Sequence, residues 1–321
     1  MTKKRTTSKA AEVAAGRVGV DIGGTKILVA LVDGDEVVTT RKRSTPRTGV
    51  DDLVAAVVEM IDDVEPAADA PVGIGIPGLV LADEGVVRSS PNIDGIDDDP
   101  VPIRQLVADA TGRRVALDND VNVATLAEHR LGAAVGVHNV LGVFVGTGVG
   151  GGLVLGGRLR HGPHGLAGEI GHSMVTHRGG EVCSCGRFGH LEAYAGRAAL
   201  ERRARAAHDA GRATVLIDIA GKGRMKSSVW AKALAADDEL ARELITEARD
   251  ALVAGLISVV VTVDVDVIVL GGGLASRLGE PFRVDLEQGI NDALFADTSI
   301  EVRWAMLGDD SGAVGAACLL D

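Results

Sequence analysis

The sequence has few cysteines and few aromatic residues. Only three cysteines occur among its 321 residues, which is too few for the disulfide framework of a small secreted protein. Aromatic residues make up 2% of the chain, which argues against a surface that stacks the bases of single-stranded nucleic acid. No N-terminal stretch has the pattern of a secretory signal peptide. We therefore expect a cytoplasmic protein with reduced thiols.

Positive charge is scarce as well. The chain has 33 Lys and Arg against 45 Asp and Glu, a net charge of −12, which opposes a large phosphate-backbone surface and predicts no nucleic-acid partner. A single nucleotide can still bind to backbone N–H groups. The most apolar run, at 251–273, is interrupted by Asp264 and Asp266, so we expect no membrane-spanning segment and no membrane partner. The polar, basic stretch 1–16 is expected to be a flexible tail.

Glycine, in contrast, is abundant. The 43 glycines and a hydrophobic content of 46% favour an α/β architecture with many tight turns. A strand, a glycine turn and a second strand are predicted at 18–32 and again at 140–155. This repetition predicts two similar lobes that face a shared cleft. We place a small lobe at 17–119, with the C-terminal helix at about 309–321 packing back on it, and a large lobe at 120–308.

The segment "DIGGTK" at 21–26 has the composition of a phosphate site. Gly23 and Gly24 allow backbone N–H groups to approach phosphate oxygens, and Thr25 and Lys26 add a hydroxyl group and a charge. Asp21, at the end of a strand, is a candidate ligand of hydrated Mg²⁺. The segment does not match the P-loop pattern. The alternative is a plain β-hairpin turn.

Two further glycine turns follow apolar strands. One is "VGTGVGGG" at 145–152, and the other is "VLGGGLA" at 269–275. A nucleotide that lies between two lobes would need all three turns. The nucleotide-binding candidates in these two turns are Gly146, Thr147, Gly148, Gly271, Gly272 and Gly273.

"LDNDVN" at 117–122 places two polar residues at a strand-to-helix turn. Asp120 is a candidate general base for a hydroxyl group, with Asn119 orienting the same substrate. The alternative is helix capping, for which Asn and Asp are preferred.

The segment "EVCSCGRFGHLEAY" at 181–194 supplies three metal ligands, Cys183, Cys185 and His190. A closed zinc site needs a fourth ligand, and His172 in "GEIGH" is our candidate, because the acidic Glu169 precedes it by three residues. His161, His164 and His177 remain substitutes, although each is first expected to be an exposed loop residue. Four protein ligands leave no position for a reactive water, so we predict a structural zinc ion.

Taken together, these motifs resemble those of the ROK family of sugar kinases, in particular its bacterial glucokinases. The resemblance extends from about Val18 to the C-terminus. The matching segments are "DIGGTK", "GIPG", "PNIDG", "LDNDVN", "GTGVGGG", "GEIGH", "CSCGRFGHLE" and "VLGGG".

The resemblance implies an α/β, actin-like (ribonuclease H-like) two-lobed ATPase fold with a duplicated βββαβαβα-type core. It also implies ATP and Mg²⁺ as the phosphoryl donor, a hexose acceptor, and a homodimer or homotetramer. Asp120 would accept the proton of the sugar's primary hydroxyl group. One ring nitrogen of His172 would bind zinc while the other faces the sugar. The sugar-binding residues that it implies are Gly78, Asn92, Asn119, Asp120, Glu169, His172 and Glu192.

One position departs from the family pattern Cys-x-Cys-Gly-x-x-Gly-Cys-x-Glu: His190 replaces the third cysteine. Imidazole is also a zinc ligand, so we expect the metal to persist.

The sequence leaves more than one acceptor open, because kinases of N-acetylmannosamine, N-acetylglucosamine or fructose share these motifs. "PNIDGIDDDP" at 91–100 resembles a glucokinase sugar loop and favours glucose. A polyphosphate donor in place of ATP would favour a basic groove, which the net charge of −12 does not suggest. The family also contains sugar-responsive repressors with an N-terminal winged helix-turn-helix, for which the residues before Val18 are too few. The preferred prediction is an ATP-dependent glucokinase.

Overall fold

The computed structural model describes residues 16–96 and 99–321. The predicted tail at 1–16 therefore lies outside the described residues except for Gly16, as do residues 97 and 98 of the predicted sugar loop.

The first half of the chain forms a five-stranded sheet. Strands β1 to β3 are an antiparallel meander, and β4 and β7 extend the sheet in parallel, in the order β3-β2-β1-β4-β7. Buried Val, Ile and Leu side chains fill β1, β2 and β4. The strands are β1 (Arg17–Ile22), β2 (Lys26–Asp33), β3 (Glu36–Ser44), β4 (Val72–Ile76), β5 (Leu79–Leu81), β6 (Val86–Ser89) and β7 (Val115–Asn119). Strands β5 and β6 form a separate hairpin.

The second half repeats this topology. Its sheet has the order β10-β9-β8-β11-β12, again an antiparallel meander extended by two parallel strands. The strands are β8 (Val140–Val145), β9 (Val149–Leu155), β10 (Arg158–Arg160), β11 (Val267–Gly271) and β12 (Glu301–Trp304). With their helices, both halves follow the order βββαβαβα. This confirms the actin-like α/β fold with a duplicated core.

Helices connect the strands within each half, and a last helix follows its final strand. In the first half they are α1 (Val50–Asp62), α2 (Ile103–Thr111) and α3 (Asp120–Leu131). In the second half they are α4 (Glu192–Ala195), α5 (Arg197–Asp209), α6 (Leu216–Ala220), α7 (Ser227–Ala235), α8 (Glu239–Val263), α9 (Gly273–Leu278), α10 (Glu280–Ala293) and α11 (Ser311–Cys318). In the described part of the chain, no helix combines the length and the apolar character that a membrane crossing needs.

The last helix of each half packs across the other half. Thr125 of α3 lies against Gly142 and Gly152 of the second sheet. Helix α11 lies so close to the first sheet that a Cβ atom at Gly73 would be 1.7 Å from the carbonyl oxygen of Ala316. The same approach occurs between Gly19 and Ala313, at 1.8 Å. Glycine is therefore required where β1 and β4 meet α11. The division into lobes at residue 119 remains a prediction.

Candidate active site

A cavity of about 640 Å³ opens between the two halves. Its walls combine the first two glycine turns with acidic and amide side chains. The predicted site residues that line it are Gly23, Gly24, Thr25, Asn92, Asn119, Asp120, Gly146, Thr147, Gly148, Glu169, Glu192 and Gly272. We refer to it as the first cavity.

A second cavity, of about 720 Å³, adjoins the first. It brings together Asp21 and Lys26 with the third glycine turn, Gly271–Gly273. Asp120 lines both cavities, as do Val121, Phe144 and Gly272. The predicted base therefore stands where the two cavities meet.

Asn119 and Asp120 share the turn between β7 and α3. The Oδ1 atom of Asn119 accepts the N–H groups of Val121 at 2.8 Å and Asn122 at 3.2 Å, so Asn119 is the N-cap of α3. Its Nδ2 atom donates to the carbonyl oxygen of Gly78 at 3.0 Å. Asp120 is the first helical residue, and its Oδ1 atom also accepts the N–H of Val121 at 3.0 Å. Asn119 thus caps the helix and also lines the first cavity, while Asp120 lines both cavities.

Two carboxyl groups near this junction have raised pKa values. Burial and, to a smaller extent, the charge of nearby Glu169 raise the pKa of Asp120 to about 6, although the hydrogen bond from the N–H of Val121 lowers it. Burial and the charge of Asp120 raise the pKa of Asp21 to about 6 as well, while Lys26 opposes this. Two partly buried carboxylates that repel each other are an arrangement that a divalent cation would stabilise. The residues present therefore fit Mg²⁺, with Asp21 as the candidate protein ligand.

The glycine turns are held by backbone hydrogen bonds. Gly23 donates to the carbonyl oxygen of Lys26 at 2.8 Å, which closes the β1–β2 hairpin. In the second turn, the N–H of Arg197 at the start of α5 donates to the carbonyl oxygen of Gly146 at 3.1 Å. The Arg197 side chain also donates to Thr147 Oγ1 at 2.9 Å. The "DIGGTK" segment is thus both a hairpin turn and a cavity wall.

His172 and Gly78 do not line either cavity. Gly78 contacts the site through Asn119. His172 follows Glu169 in a single 3₁₀ turn, and its Nδ1 atom faces Cys183 and His190. Its second nitrogen, Nε2, is left for another partner.

The four predicted metal ligands converge. Ligand atoms of His172, Cys183, Cys185 and His190 all lie within 4.8 Å of one another. The Nδ1 atoms of the two histidines are 3.4 Å apart. Cys183 Sγ is 3.8 Å from His172 Nδ1, and Cys185 Sγ is 3.3 Å from His190 Nδ1. In a zinc tetrahedron, nitrogen–nitrogen edges are about 3.3 Å and sulfur–nitrogen edges about 3.6 Å, from the usual bond lengths. The set therefore fits zinc without a substitute histidine.

Three of these ligands, Cys183, Cys185 and His190, lie on a hairpin at 173–191, which we call the cysteine hairpin, and His172 directly precedes it. It is paired at Met174 with His190 and at Val182 with Phe188. Glu192 follows it directly and connects it with the first cavity. Ser184 Oγ, between the two cysteines, donates to Glu192 Oε1 at 2.5 Å. The other carboxylate oxygen accepts the N–H of Val149 at 3.1 Å.

Sequence reasoning missed two arginines in the first cavity. Arg47 lies beside Gly24, to whose carbonyl oxygen it donates at 3.3 Å. Arg224 belongs to the connection between α6 and α7 and lines the cavity on the side of the second half. The basic composition of "KGRMK" at 222–226 was the available signal for Arg224.

Comparisons with known proteins agree with this geometry. A sequence model described as the ROK family matches residues 17–321. The glucokinase of Thermotoga maritima is 32% identical, over 94% of this chain and 96% of its own. The N-acetylgalactosamine kinase AgaK of Shewanella sp. (strain ANA-3) is 34% identical, over 94% and 95%. A crystal structure of a ROK family glucokinase from Streptomyces griseus, in complex with glucose and AMPPNP, has a TM-score of 0.79 and 31% identity, covering 95% of this chain and 98% of its own.

Proposed function

Since the chain belongs to the ROK family, we propose that it is an ATP-dependent hexose kinase that phosphorylates the 6-hydroxyl group of glucose. The observation that carries the proposal is the position of Asp120 on the wall shared by the two cavities. A phosphoryl donor in the second cavity and a sugar in the first would meet at this carboxylate. The free cysteines and the use of ATP support a cytoplasmic reaction.

The first cavity suits a sugar because its polar side chains can bind several hydroxyl groups. Carboxylates accept hydrogen bonds and amides both donate and accept them. Glu169 and Glu192 supply carboxylates, and Asn92 and Asn119 supply amides. The Nε2 atom of His172 would add a further contact beside Glu169, whose pKa burial raises.

In the transfer step, Asp120 would accept the proton of the sugar's 6-hydroxyl group while that oxygen attacks the γ-phosphorus of ATP. The bond between the γ-phosphorus and its bridging oxygen would break, and ADP would leave with that oxygen. With a pKa of about 6, the group is mainly ionised at neutral pH and still a useful base. Mg²⁺, held by Asp21 and the phosphates, would neutralise charge on the donor. Arg47 and Arg224 line the first cavity, where we place the sugar, from opposite halves.

The cysteine hairpin would support the sugar site through a structural zinc ion. Zinc on His172 would fix the ring beside Glu169, and zinc on the two cysteines would fix Ser184 and therefore Glu192. Burial lowers the pKa of His190, which favours the neutral imidazole that a metal needs.

A coupled assay of ADP release tests the proposal. The panel consists of glucose, fructose, N-acetylglucosamine, N-acetylmannosamine and N-acetylgalactosamine, each with ATP and Mg²⁺, and glucose with polyphosphate. We expect glucose with ATP to give the highest kcat/KM. An N-acetylated sugar is the main alternative, because the chain is 34% identical to an N-acetylgalactosamine kinase. A preference for such a sugar would contradict the assignment of glucose, but the proposal that the protein is a sugar kinase would stand.

A further inference from the structure

Asp118 is a buried carboxylate directly before the proposed substrate turn. It belongs to β7, and it is 1% exposed. Its Oδ1 atom accepts the backbone N–H of Asn119 at 2.7 Å and the side-chain amide of Asn122 at 2.8 Å. One oxygen atom therefore holds the chain on both sides of Asp120.

The second oxygen of Asp118 contacts a histidine from the other half of the molecule. His161 Nε2 lies 2.5 Å from Asp118 Oδ2. His161 follows β10 of the second sheet, whereas Asp118 lies in the first sheet. The loop of His161 also lies against β5, since a Cβ atom at Gly165 would be 2.5 Å from the carbonyl oxygen of Val80. The pair thus joins the two halves beside Asp120.

We propose that Asp118 and His161 are positioning residues for phosphoryl transfer: their ion pair fixes the carboxylate that orients the Asn119–Asp120 turn. This inference rests on the proposed function. A carboxylate held at one oxygen can still rotate, and His161 removes that freedom. A reacting group must be held within a fraction of an ångström of its productive position.

The ion pair has a definite pH dependence. Hydrogen bonding to Asp118 raises the pKa of His161, burial opposes this, and the charges of Asp118 and Asp83 add to the increase. Asp118 lies in β7 and Asp83 in the β5–β6 connection, so the two acidic groups that raise this pKa come from two neighbouring elements. Because the folded-state pKa is raised, the pair is complete below the ordinary histidine pKa and is lost as pH rises through the raised value.

Replacement of His161 by Gln tests the proposal, because glutamine keeps a hydrogen-bond donor without the charge. We expect kcat to fall by about 10- to 100-fold, the scale of a small misplacement of a reacting group. The KM values for sugar and ATP should change little. The decline of kcat on the alkaline side, expected for the wild type, should be absent in H161Q. His164→Gln, an exposed position in the same loop, is the matched control and should keep wild-type kinetics.

A side-chain NMR titration gives a readout that is independent of activity. His161 should titrate above the ordinary histidine range in the wild type and return toward it in Asp118→Asn. An active wild type whose H161Q variant has unchanged kcat at all pH values would overturn this inference alone. An H161Q variant in which only a KM value rises would also overturn this inference, since that result would indicate a role in binding. A wild type that phosphorylates no sugar would overturn the proposed function and this inference together.

Discussion

At the scale of single residues, the chemistry depends on Asp120. It lies at the first position of α3 and faces both cavities, while its neighbour Asn119 caps the helix. Asn119 supplies the N-cap, and Asp120, which also accepts the N–H of Val121, presents its carboxylate to both cavities.

Asp120→Asn keeps the size of the side chain and much of its hydrogen bonding but removes proton acceptance. General base catalysis contributes about 10²- to 10⁴-fold, so we expect kcat to fall by at least that range, with a much smaller change in sugar binding. The coupled ADP assay and sugar titration measure the two effects. Asp51→Asn, an exposed acid in the first turn of α1, is the control. Near-normal turnover of D120N would leave Asp120 without a catalytic role.

The pH dependence of the wild type tests the same residue. The pKa values of Asp21 and Asp120 are both raised to about 6, and since the groups interact, the apparent value belongs to the pair. We expect kcat/KM to fall as pH drops through about 6. For carboxyl groups whose folded-state pKa is raised, protonation favours the folded state. The loss should therefore occur in folded protein, as circular dichroism can verify, and a flat profile down to pH 5 would contradict it.

The sequence predicted side chains that follow strands and glycine turns, because a strand end fixes where the next residues lie. It did not predict Arg47, Arg224 or the Asp118–His161 pair. Arg47, Arg224 and His161 lie in connections. Asp118 lies in β7, 43 positions from His161, so only the packing of the two halves brings that pair together. For His161, sequence reasoning considered a metal ligand or an exposed loop residue; the structure instead pairs it with a buried carboxylate.

At the scale of elements, the cysteine hairpin connects a metal site with a sugar site. Backbone hydrogen bonds hold its two arms together, among them those from the N–H of Val175 to the carbonyl oxygen of Gly189 and from the N–H of Cys183 to that of Arg187, each at 2.8 Å. The proposed zinc ion would add a further link, because it would join the two cysteines to His190 and His172.

Removing one zinc ligand should disturb the sugar site selectively. Cys183→Ser is expected to raise KM for the sugar and lower thermal stability, while KM for ATP changes little, because the hairpin contacts Glu192 and not the second cavity. The measurements are elemental analysis, sugar and ATP kinetics, and thermal unfolding. His190→Cys, which restores the family pattern, is the control and should keep about one zinc per chain. Full activity of zinc-free protein in the presence of a chelator would contradict the structural role.

At the scale of the whole molecule, the two halves are interlocked. The connection between β12 and α11 is anchored on α3, because the fully buried Glu128 accepts the N–H groups of Ala133, Met306 and Leu307, each at 2.8 Å. Helix α11 then crosses to the first sheet. The repeated strand–glycine–strand pattern predicted the duplication, but a backbone contact between Gly73 and Ala316 cannot be deduced from sequence, since it depends on how closely a helix approaches a strand.

This interlocking predicts that damage in the first half destabilises the second. In Gly73→Ala, the new Cβ atom would lie 1.7 Å from the carbonyl oxygen of Ala316, so α11 must shift. Overpacking of this kind costs about 1–3 kcal/mol or more.

Both tryptophans, Trp230 and Trp304, lie in the second half, so urea unfolding followed by their fluorescence reports on that half, while far-UV circular dichroism reports on both. We expect a single transition whose midpoint shifts equally by both probes. Gly223→Ala, where the new Cβ atom would be 3.6 Å from Ala220, should unfold like the wild type. If the fluorescence midpoint of Gly73→Ala stays in place while the circular dichroism transition splits, the halves unfold independently and α11 does not couple them.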